Sequence, residues 1–142
     1  MANNAERAAT LVRALEASVA GDSSIVSEVF TDDVRGEAPT MTVSSAAELA
    51  VELEDRHDAF SAVELAVSPL DVGGDRAAVE WVVTLAHTGP VEIRDVVLRP
   101  TGATVTLHGM TVADFSGSRI CSFRQYWDEA ELLGQLAAVG EE

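Results

Sequence analysis

The 142-residue sequence has one cysteine, no lysine and nine cationic residues, all of them arginine. A single thiol, Cys121, cannot form an intramolecular disulfide, so the fold has to form without one. The nine cations face 24 acidic residues, and the net charge is −15. Because the arginines are scattered along the chain, this charge repels phosphate backbones and anionic lipids. We therefore expect neither nucleic acid nor a membrane as a partner.

Long hydrophobic runs are also missing. No apolar stretch approaches the ~18 residues of a membrane-spanning helix, and the first residues lack the basic and hydrophobic segments of a signal peptide. The sequence therefore predicts a cytoplasmic protein. It also lacks a phosphate-binding loop, a dinucleotide-binding glycine pattern, a nucleophile elbow and closely spaced metal ligands. From these absences we expect no cofactor and no metal.

The composition is that of a globular protein. Hydrophobic residues make up 47% of the chain and charged residues 23%, close to the averages for globular domains. A chain of this length buries roughly 68 to 70% of its unfolded surface and is near the usual size of one domain. We therefore predict a single domain that spans residues 1–142.

Helical periodicity dominates the first part of the chain. The spacing of apolar residues predicts a helix over 5–20 and a shorter helical segment from Asp22 to Asp33. Ser45 and Glu48 have the spacing of a capping box, which predicts the start of a third helix. Its apolar stripe runs as far as Phe60.

In the second half the period changes to two. Alternation predicts strands over 63–72, 79–87, 104–115 and 119–127, and a leucine-rich helix follows them. Helices followed by strands with short turns indicate an α+β fold with an antiparallel sheet. The strands carry apolar residues on both faces, so the sheet should be covered by helices on one side and by a partner subunit on the other. We therefore expect a homodimer through the sheet.

Three stretches of sequence, together with the order of elements, resemble a known family. They are His87-Thr88-Gly89, Arg99-Pro100-Thr101-Gly102 followed by Val105, Leu107 and Gly109, and Tyr126-Trp127-Asp128 followed by Leu132-Leu133-x-Gln135-Leu136. The chain resembles the SnoaL-like branch of the NTF2-like superfamily. The resemblance implies a cone in which a strongly curved antiparallel sheet wraps around N-terminal helices, with a short C-terminal helix and an apolar pocket at the wide end. The superfamily holds polyketide cyclases, ketosteroid isomerases, epoxide hydrolases and dehydratases, so the fold does not choose a reaction.

Three ionisable residues are candidates for acid/base catalysis. Asp128 closes the last strand, and it resembles the aspartate that moves the proton in SnoaL-like cyclases. It also precedes the last helix, where a carboxylate serves equally well as an N-cap. His87 shares a strand face with Trp81, and His108 lies in a neighbouring strand. Either imidazole is a possible partner of a carboxylate, and either is equally a structural core residue.

Four residues are candidates for substrate binding. Trp81 and Tyr126 either stack on a planar ligand or fill the core. Arg124 either binds an anionic substrate or pairs with Glu80, which is costly to bury alone. Asp95 lies in a segment that forms a flap over the pocket in this family, and the alternative is a solvated loop residue.

The sequence supports two classes of function. In the first, the protein is a cofactor-independent cyclase or isomerase acting on a hydrophobic, polyketide-like carbonyl compound. Asp128 then moves the proton, and His87 or His108 stabilises the enolate. An epoxide or lactone hydrolase on the same fold would need a second carboxylate, supplied by Glu80 or Asp95. In the second class, the protein is a non-catalytic ligand-binding or dimeric scaffold.

Overall fold

The computed structural model describes residues 3–39, 41–93 and 96–140. Within these ranges the chain forms four α-helices and eight β-strands. The helices are α1 (Asn4–Ala20), α2 (Val26–Val29, preceded by a 3₁₀ turn at Ser23–Ile25), α3 (Ala46–Ala59) and α4 (Glu129–Gly140). The strands are β1 (Phe30–Ala38), β2 (Met41–Val43), β3 (Phe60–Leu70), β4 (Arg76–His87), β5 (Val91–Ile93), β6 (Val96–Leu98), β7 (Thr104–Ser116) and β8 (Arg119–Trp127).

Six strands form one curled sheet in the order β2-β1-β8-β7-β4-β3, and β5 pairs with β6 in a separate hairpin. This confirms the predicted α+β cone. One pairing differs from the prediction, because β1 runs parallel to β8. No tight turn joins these two strands, so their relative direction is not restricted to antiparallel. The other pairings in the sheet are antiparallel.

The segment after α2 is the main difference from the sequence prediction. The helical segment predicted to close at Asp33 ends instead at Val29, and β1 begins at the next residue. The pairing of β1 with β8 shifts register between Phe30 and Arg35. A shift of this kind breaks the alternation of period two that marks a strand in the sequence. The prediction that the helical segment continues to Asp33 was therefore wrong.

The helix caps follow local side-chain chemistry. Asn3 Oδ1 accepts a hydrogen bond from the Glu6 N–H at 2.9 Å, and the Glu6 carboxylate accepts one from the Asn3 N–H at 3.3 Å. At α3, Ser45 Oγ accepts from the Glu48 N–H at 3.1 Å. The Glu48 carboxylate, however, bonds the N–H and hydroxyl of Ser44. The predicted capping box therefore forms in one of its two bonds.

The core lies between the helices and the inner face of the curled sheet. Alternate residues of β4 show the two faces, since Val79 and Val83 are buried whereas Glu80 and Val82 are exposed. Two buried leucines of α4, Leu132 and Leu136, join the same core. In the described part of the chain, no helix is both long and apolar enough to span a lipid bilayer.

Candidate functional site

Of the three predicted catalytic residues, His87 is the one inside the protein. It is the last residue of β4, on the same inner face as Trp81 and Val83, and its relative exposure is 0%. Its ring stacks on Phe60, with 5.3 Å between ring centroids and 29° between planes. The two residues are direct partners in the β3–β4 pairing. The strand register thus places an aromatic face against the imidazole.

The turn before β7 holds one nitrogen of this imidazole. The Thr101 N–H donates to Nδ1 of His87 at 3.3 Å, and Thr101 Oγ1 lies 3.1 Å from the same atom. The backbone of this turn is bonded to the strand end as well. The His87 N–H donates to the Ala103 carbonyl at 2.8 Å, and the Gly102 N–H donates to the His87 carbonyl at 2.9 Å. These bonds fix residues 101–103 against the end of β4.

The second ring nitrogen, Nε2, is buried and has no hydrogen-bond partner among the described residues. A buried polar group left without a partner costs about 1–3 kcal/mol, so most such groups are paired. Nε2 lies on the opposite side of the imidazole from Nδ1 and therefore faces away from the Thr101 turn. The hydrogen-bonding capacity of this nitrogen is therefore unused among the described residues.

Asp128 lies at the surface and caps α4. Its side chain is exposed, its Oδ1 accepts a hydrogen bond from the Ala130 N–H at 2.8 Å, and its carbonyl accepts one from the Glu131 N–H at 3.1 Å. This is the N-cap arrangement that the sequence left open as an alternative to catalysis. No hydrogen bond or ion pair joins the Asp128 carboxylate to His87 in the described part of the chain.

His108 lies on the outer face of the sheet. Its side chain is 68% exposed, and its Nδ1 is 3.1 Å from Oε1 of Glu131 in α4. The inward positions of this part of β7 belong to Leu107 and Gly109 instead. The prediction that His108 stabilises an enolate inside a pocket is therefore wrong, because the alternation of β7 points it to solvent.

Trp81 faces inward, as predicted, and is part of the core. It is 7% exposed, and its indole N–H donates to Thr111 Oγ1 at 3.0 Å. Thr111 Oγ1 also accepts from Gln125 Nε2 at 3.3 Å. The indole is therefore buried and its N–H already has a partner. This favours the prediction that Trp81 fills the core over the prediction that it stacks on a ligand.

The other binding candidates do not join His87. Tyr126 is 55% exposed on the outer face, so the prediction that it stacks on an interior ligand is wrong. Arg124 lies on the same face, where its guanidinium is 4.0 Å from the Asp114 carboxylate rather than beside Glu80. Asp95 lies outside the described residues.

Asp114 is the centre of a charged cluster on this outer face. Its carboxylate accepts hydrogen bonds from Arg76 Nε at 2.7 Å and from Ser122 Oγ at 3.0 Å. Partial burial alone raises the pKa of Asp114, but the bonds from Arg76 and Ser122 and the charges of Arg76 and Arg124 lower this pKa below its ordinary value. The carboxylate is thus occupied by structural partners.

Elsewhere, one groove of about 240 Å³ lies between the start of α1 and the β3–β4 hairpin, at the opposite end of β4 from His87. Asn4, Pro69 and Arg76 contribute to its walls, and none of the predicted site residues does. Among the described residues, no three or more His, Cys, Asp or Glu side chains are arranged to hold a metal ion. The described candidate site therefore centres on His87.

Sequence reasoning missed two residues that contact His87. Phe60 was assigned to the end of a helix, whereas it is the first residue of β3. Thr101 belongs to a turn that carried the family resemblance, but nothing in the sequence indicated that its N–H reaches an imidazole 14 positions earlier. The β3–β4 register pairs Phe60 directly with His87, so a correct prediction of this register would have identified the contact.

The fold is that of a SnoaL-like cone. The SnoaL-like domain family matches residues 11–123, so this chain belongs to the SnoaL-like family, and the resemblance carried by the three sequence stretches is confirmed. No protein with a curated description matches the chain in sequence.

Several solved structures share the fold over almost the whole chain. A candidate SnoaL-like polyketide cyclase from Jannaschia sp. CCS1 is 16% identical with a TM-score of 0.79, covering 95% of this chain and 94% of its own. AclR, a candidate hydroxylase from Streptomyces galilaeus, is 25% identical with a TM-score of 0.75, covering 96% and 98%. An LEH-like epoxide hydrolase from M. tuberculosis is 16% identical with a TM-score of 0.72, covering 97% and 94%.

Proposed function

We propose that this protein is a cyclase or isomerase of the SnoaL-like family that acts on a hydrophobic, polyketide-like carbonyl compound by acid/base chemistry without a cofactor. The observation that carries the proposal is the unpaired, buried Nε2 of His87 on the inner face of the sheet. The names of two relatives support the reaction class, since one is a candidate polyketide cyclase and another a candidate isomerase.

In this reaction a proton leaves the carbon next to a carbonyl, and negative charge develops on the carbonyl oxygen. A polar group held ready in a dry site stabilises that charge far more than water does. Among the candidate residues that the structure describes, His87 is the one ionisable side chain in such an environment. We therefore assign it the contact to the reacting oxygen, in place of His108.

The ligand needs an opening to reach this nitrogen. Because His87 has no exposed surface, a substrate can contact Nε2 only when the elements around it separate. Phe60 and the 101–103 turn are the described contacts of its ring and backbone. We assign them the role of walls that exclude water once the substrate is bound.

The test uses proton exchange, which does not require the natural substrate. The protein is incubated with 2-tetralone and 2-decalone in D₂O, and mass spectrometry follows deuterium uptake beside the carbonyl. We expect faster uptake than in buffer, and a fall of about 10²–10³-fold in His87→Asn, the usual loss for one stabilising donor. His108→Ala, on the exposed outer face, is the matched control and should keep full activity.

Uptake no faster than in buffer, or unchanged uptake in a folded His87→Asn protein, would contradict the proposal. Asp128→Asn and Asp95→Asn complete the set, because the sequence assigns the proton transfer to Asp128 and offers Asp95 as the second carboxylate of a hydrolase. A loss of exchange in one of them, with the melting temperature unchanged, identifies the base.

The structure excludes one of the two carboxylates that were candidates in the hydrolase alternative. This alternative needs a second carboxylate facing the interior, and Glu80 is exposed on the outer face of β4, so the expectation that Glu80 supplies it was wrong. The name of the M. tuberculosis relative is the remaining support. Transfer of ¹⁸O from labelled water into the product of an epoxide substrate would favour hydrolysis over proton transfer.

Two observations favour a non-catalytic ligand-binding or scaffold protein as the second candidate. Asp128 caps a helix at the surface, and Trp81 fills part of the interior. The deuterium assay separates the two functions, since a scaffold does not raise the exchange of either ketone above the rate in buffer.

We also propose that two copies pair through the outer face of the sheet. Val82 and Tyr126 are large apolar side chains that remain 36% and 55% exposed there. Tyr126 pairs with Met110 of β7, and Met110 pairs with Glu80, two residues before Val82 on the same face of β4, so Val82, Met110 and Tyr126 lie close together on three adjacent strands. An exposed apolar cluster on the middle strands of a sheet, bordered here by Glu80 and His108, is suited to a second copy of the same surface.

A further inference from the structure

We infer that Thr101 is a positioning residue that holds neutral His87 in its Nε2–H form, so that the site takes ligands through an acceptor oxygen. The inference rests on the proposed function only in placing the ligand at Nε2. It adds the direction of the hydrogen bond and the residue that sets it.

The backbone N–H of Thr101 decides the position of the proton. A backbone N–H is a donor and has no lone pair to offer, so the nitrogen that receives it has to be unprotonated. This N–H reaches Nδ1 of His87 at 3.3 Å. In a neutral imidazole one nitrogen carries the proton and the other accepts. Since Nδ1 accepts, the proton of His87 lies on Nε2.

The hydroxyl of Thr101 supports the same assignment. Oγ1 accepts a hydrogen bond from the Ala103 N–H at 3.1 Å. Its own proton is then available for Nδ1 of His87, which lies 3.1 Å away. The hydroxyl can therefore join the backbone N–H as a second donor to Nδ1, and the N–H is the donor that fixes the tautomer.

The ring is also held in this orientation. The backbone bonds of His87 with Gly102 and Ala103 tie the turn to the strand independently of the imidazole. Gly102 has a φ of 71°, a left-handed conformation that glycine adopts without strain. Phe60 stacks on one face of the imidazole. The turn that carries Thr101 is thus held by its own backbone bonds, and the imidazole is not needed to keep it in place.

This arrangement determines what His87 can do. With its lone pair directed at Thr101, His87 cannot take a proton from a ligand through Nε2. It can donate the Nε2–H, which matches a ketone, an enolate or a carboxylate oxygen and leaves an ammonium group without an acceptor. The ligand is therefore an oxygen acceptor on an apolar skeleton, and the proton acceptor of the reaction is a different group.

The first test is the tautomer itself. The full-length protein is labelled with ¹⁵N-histidine, and long-range ¹H–¹⁵N spectra distinguish a protonated Nε2 from a protonated Nδ1. The His87 signal is assigned by its loss in His87→Gln. We expect the Nε2–H pattern in the wild type and in Thr101→Val, which keeps the backbone N–H, and a mixture of both patterns in Thr101→Pro, which removes it. An Nδ1–H pattern in the wild type overturns the inference.

The second test uses two substitutions at the histidine and remains valid if Thr101→Pro does not fold. A glutamine amide reaches the position of Nε2, whereas an asparagine amide reaches only that of Nδ1. The probes are 2-tetralone, an oxygen acceptor, and 2-aminotetralin, an ammonium donor of the same shape. We expect the ketone to bind at least about tenfold more tightly than the amine in the wild type and in His87→Gln, the effect of one hydrogen bond. His87→Asn should lose this preference.

Equal affinities in the wild type, no binding of the ketone, or an unchanged preference in His87→Asn would overturn the ligand assignment. The result is separable from the proposed function. Ketone preference with an Nε2–H pattern but no deuterium uptake supports the inference and contradicts the enzyme proposal. Deuterium uptake with an Nδ1–H pattern does the reverse.

Discussion

Trp81 lies directly against Gly109 of the neighbouring strand. The two residues are paired across β4 and β7, and a Cβ at Gly109 would overlap Cζ2 of the indole. The hydrogen bond from the indole to Thr111 sets the direction of the ring along β7. The glycine provides the space and the threonine provides the polar anchor. Both together explain why this tryptophan fills the core instead of lining a pocket.

The first prediction concerns this packing. Gly109→Ala should lower the free energy of unfolding by about 1–3 kcal/mol, because the added methyl group overpacks the inner face. Urea denaturation measures the change. Gly73→Ala is the matched control, since a Cβ at Gly73 meets nothing within 4 Å, and it should have little effect. Equal stabilities of the two variants would contradict the contact with Trp81.

Asp128 provides the second prediction. Asp128→Ala removes the oxygen that accepts from the Ala130 N–H and should cost about 1 kcal/mol of stability. Asp128→Asn retains an N-cap oxygen and should keep the wild-type melting temperature. Thermal unfolding measures both. If Ala is as stable as Asn at this position, the capping role is contradicted.

The third prediction is a pH dependence. The folded pKa of Asp114 lies below the ordinary value of 3.8, so folding favours its charged form. Its contribution to stability is therefore present above that ordinary value and is lost as the pH falls through the folded pKa. Asp114→Asn should lower stability at pH 7 by about 1–2 kcal/mol and should flatten the acid side of the stability curve.

Urea titrations from neutral to acid pH test this difference. Glu80→Gln, which removes a carboxylate from an exposed position on the same sheet face, is the control. A parallel loss of stability in Asp114→Asn at all pH values would show that the hydrogen bonds matter without the charge.

The sequence predicted the elements that depend on local pattern. The predicted bounds of β8 agree with the structure, because a glycine turn marks its start and a helix cap marks its end. The structure shows β1 where a helix ending was predicted, since its register shift hides the period of two. It also shows Phe60 in a strand, because a single aromatic residue at a junction fits both periods.

The candidate site was likewise predictable where it depends on local alternation. Strand parity correctly placed His87 inside with Trp81, because a period of two fixes the face of every residue in a regular strand. The same argument did not decide whether His108 and Tyr126 face the core or the solvent, since both faces of these strands carry apolar residues. The contact of Thr101 with His87 depends on how a turn folds back onto a strand end, which no periodicity encodes.

A fourth prediction concerns the join between α4 and the sheet. The pairing of β7 with β8 begins only at Gly109, so Thr106 has an open edge. The side chain of Gln135 closes it, with Oε1 accepting from the Thr106 N–H at 2.8 Å and Nε2 donating to the Thr106 carbonyl at 2.7 Å. Gln135→Leu leaves both backbone groups unpaired and should cost about 2 kcal/mol.

Hydrogen exchange at the Thr106 amide is the direct measurement for this variant. The exchange rate should rise in Gln135→Leu and stay unchanged in Gly134→Ala. The latter changes the exposed face of the same helix, where a Cβ meets nothing within 4 Å, and should add about 0.5–1 kcal/mol of stability through helix propensity. Unchanged exchange in Gln135→Leu would mean that the amide does not protect this edge.

The last prediction tests the proposed dimer through the outer face of the sheet. Light scattering at micromolar concentration should give about twice the chain mass of 15.0 kDa. Val82→Glu places a charge close to Met110 and Tyr126 in the proposed interface, where desolvation is costly, and should yield a folded monomer. Val51→Glu on α3, where the native side chain is 56% exposed, adds the same charge on a helix and should remain dimeric. A monomeric wild type, or a dimer that persists in Val82→Glu, would contradict this interface. A stable dimer has to bury a large surface, and a glutamate at position 82 would be buried within it.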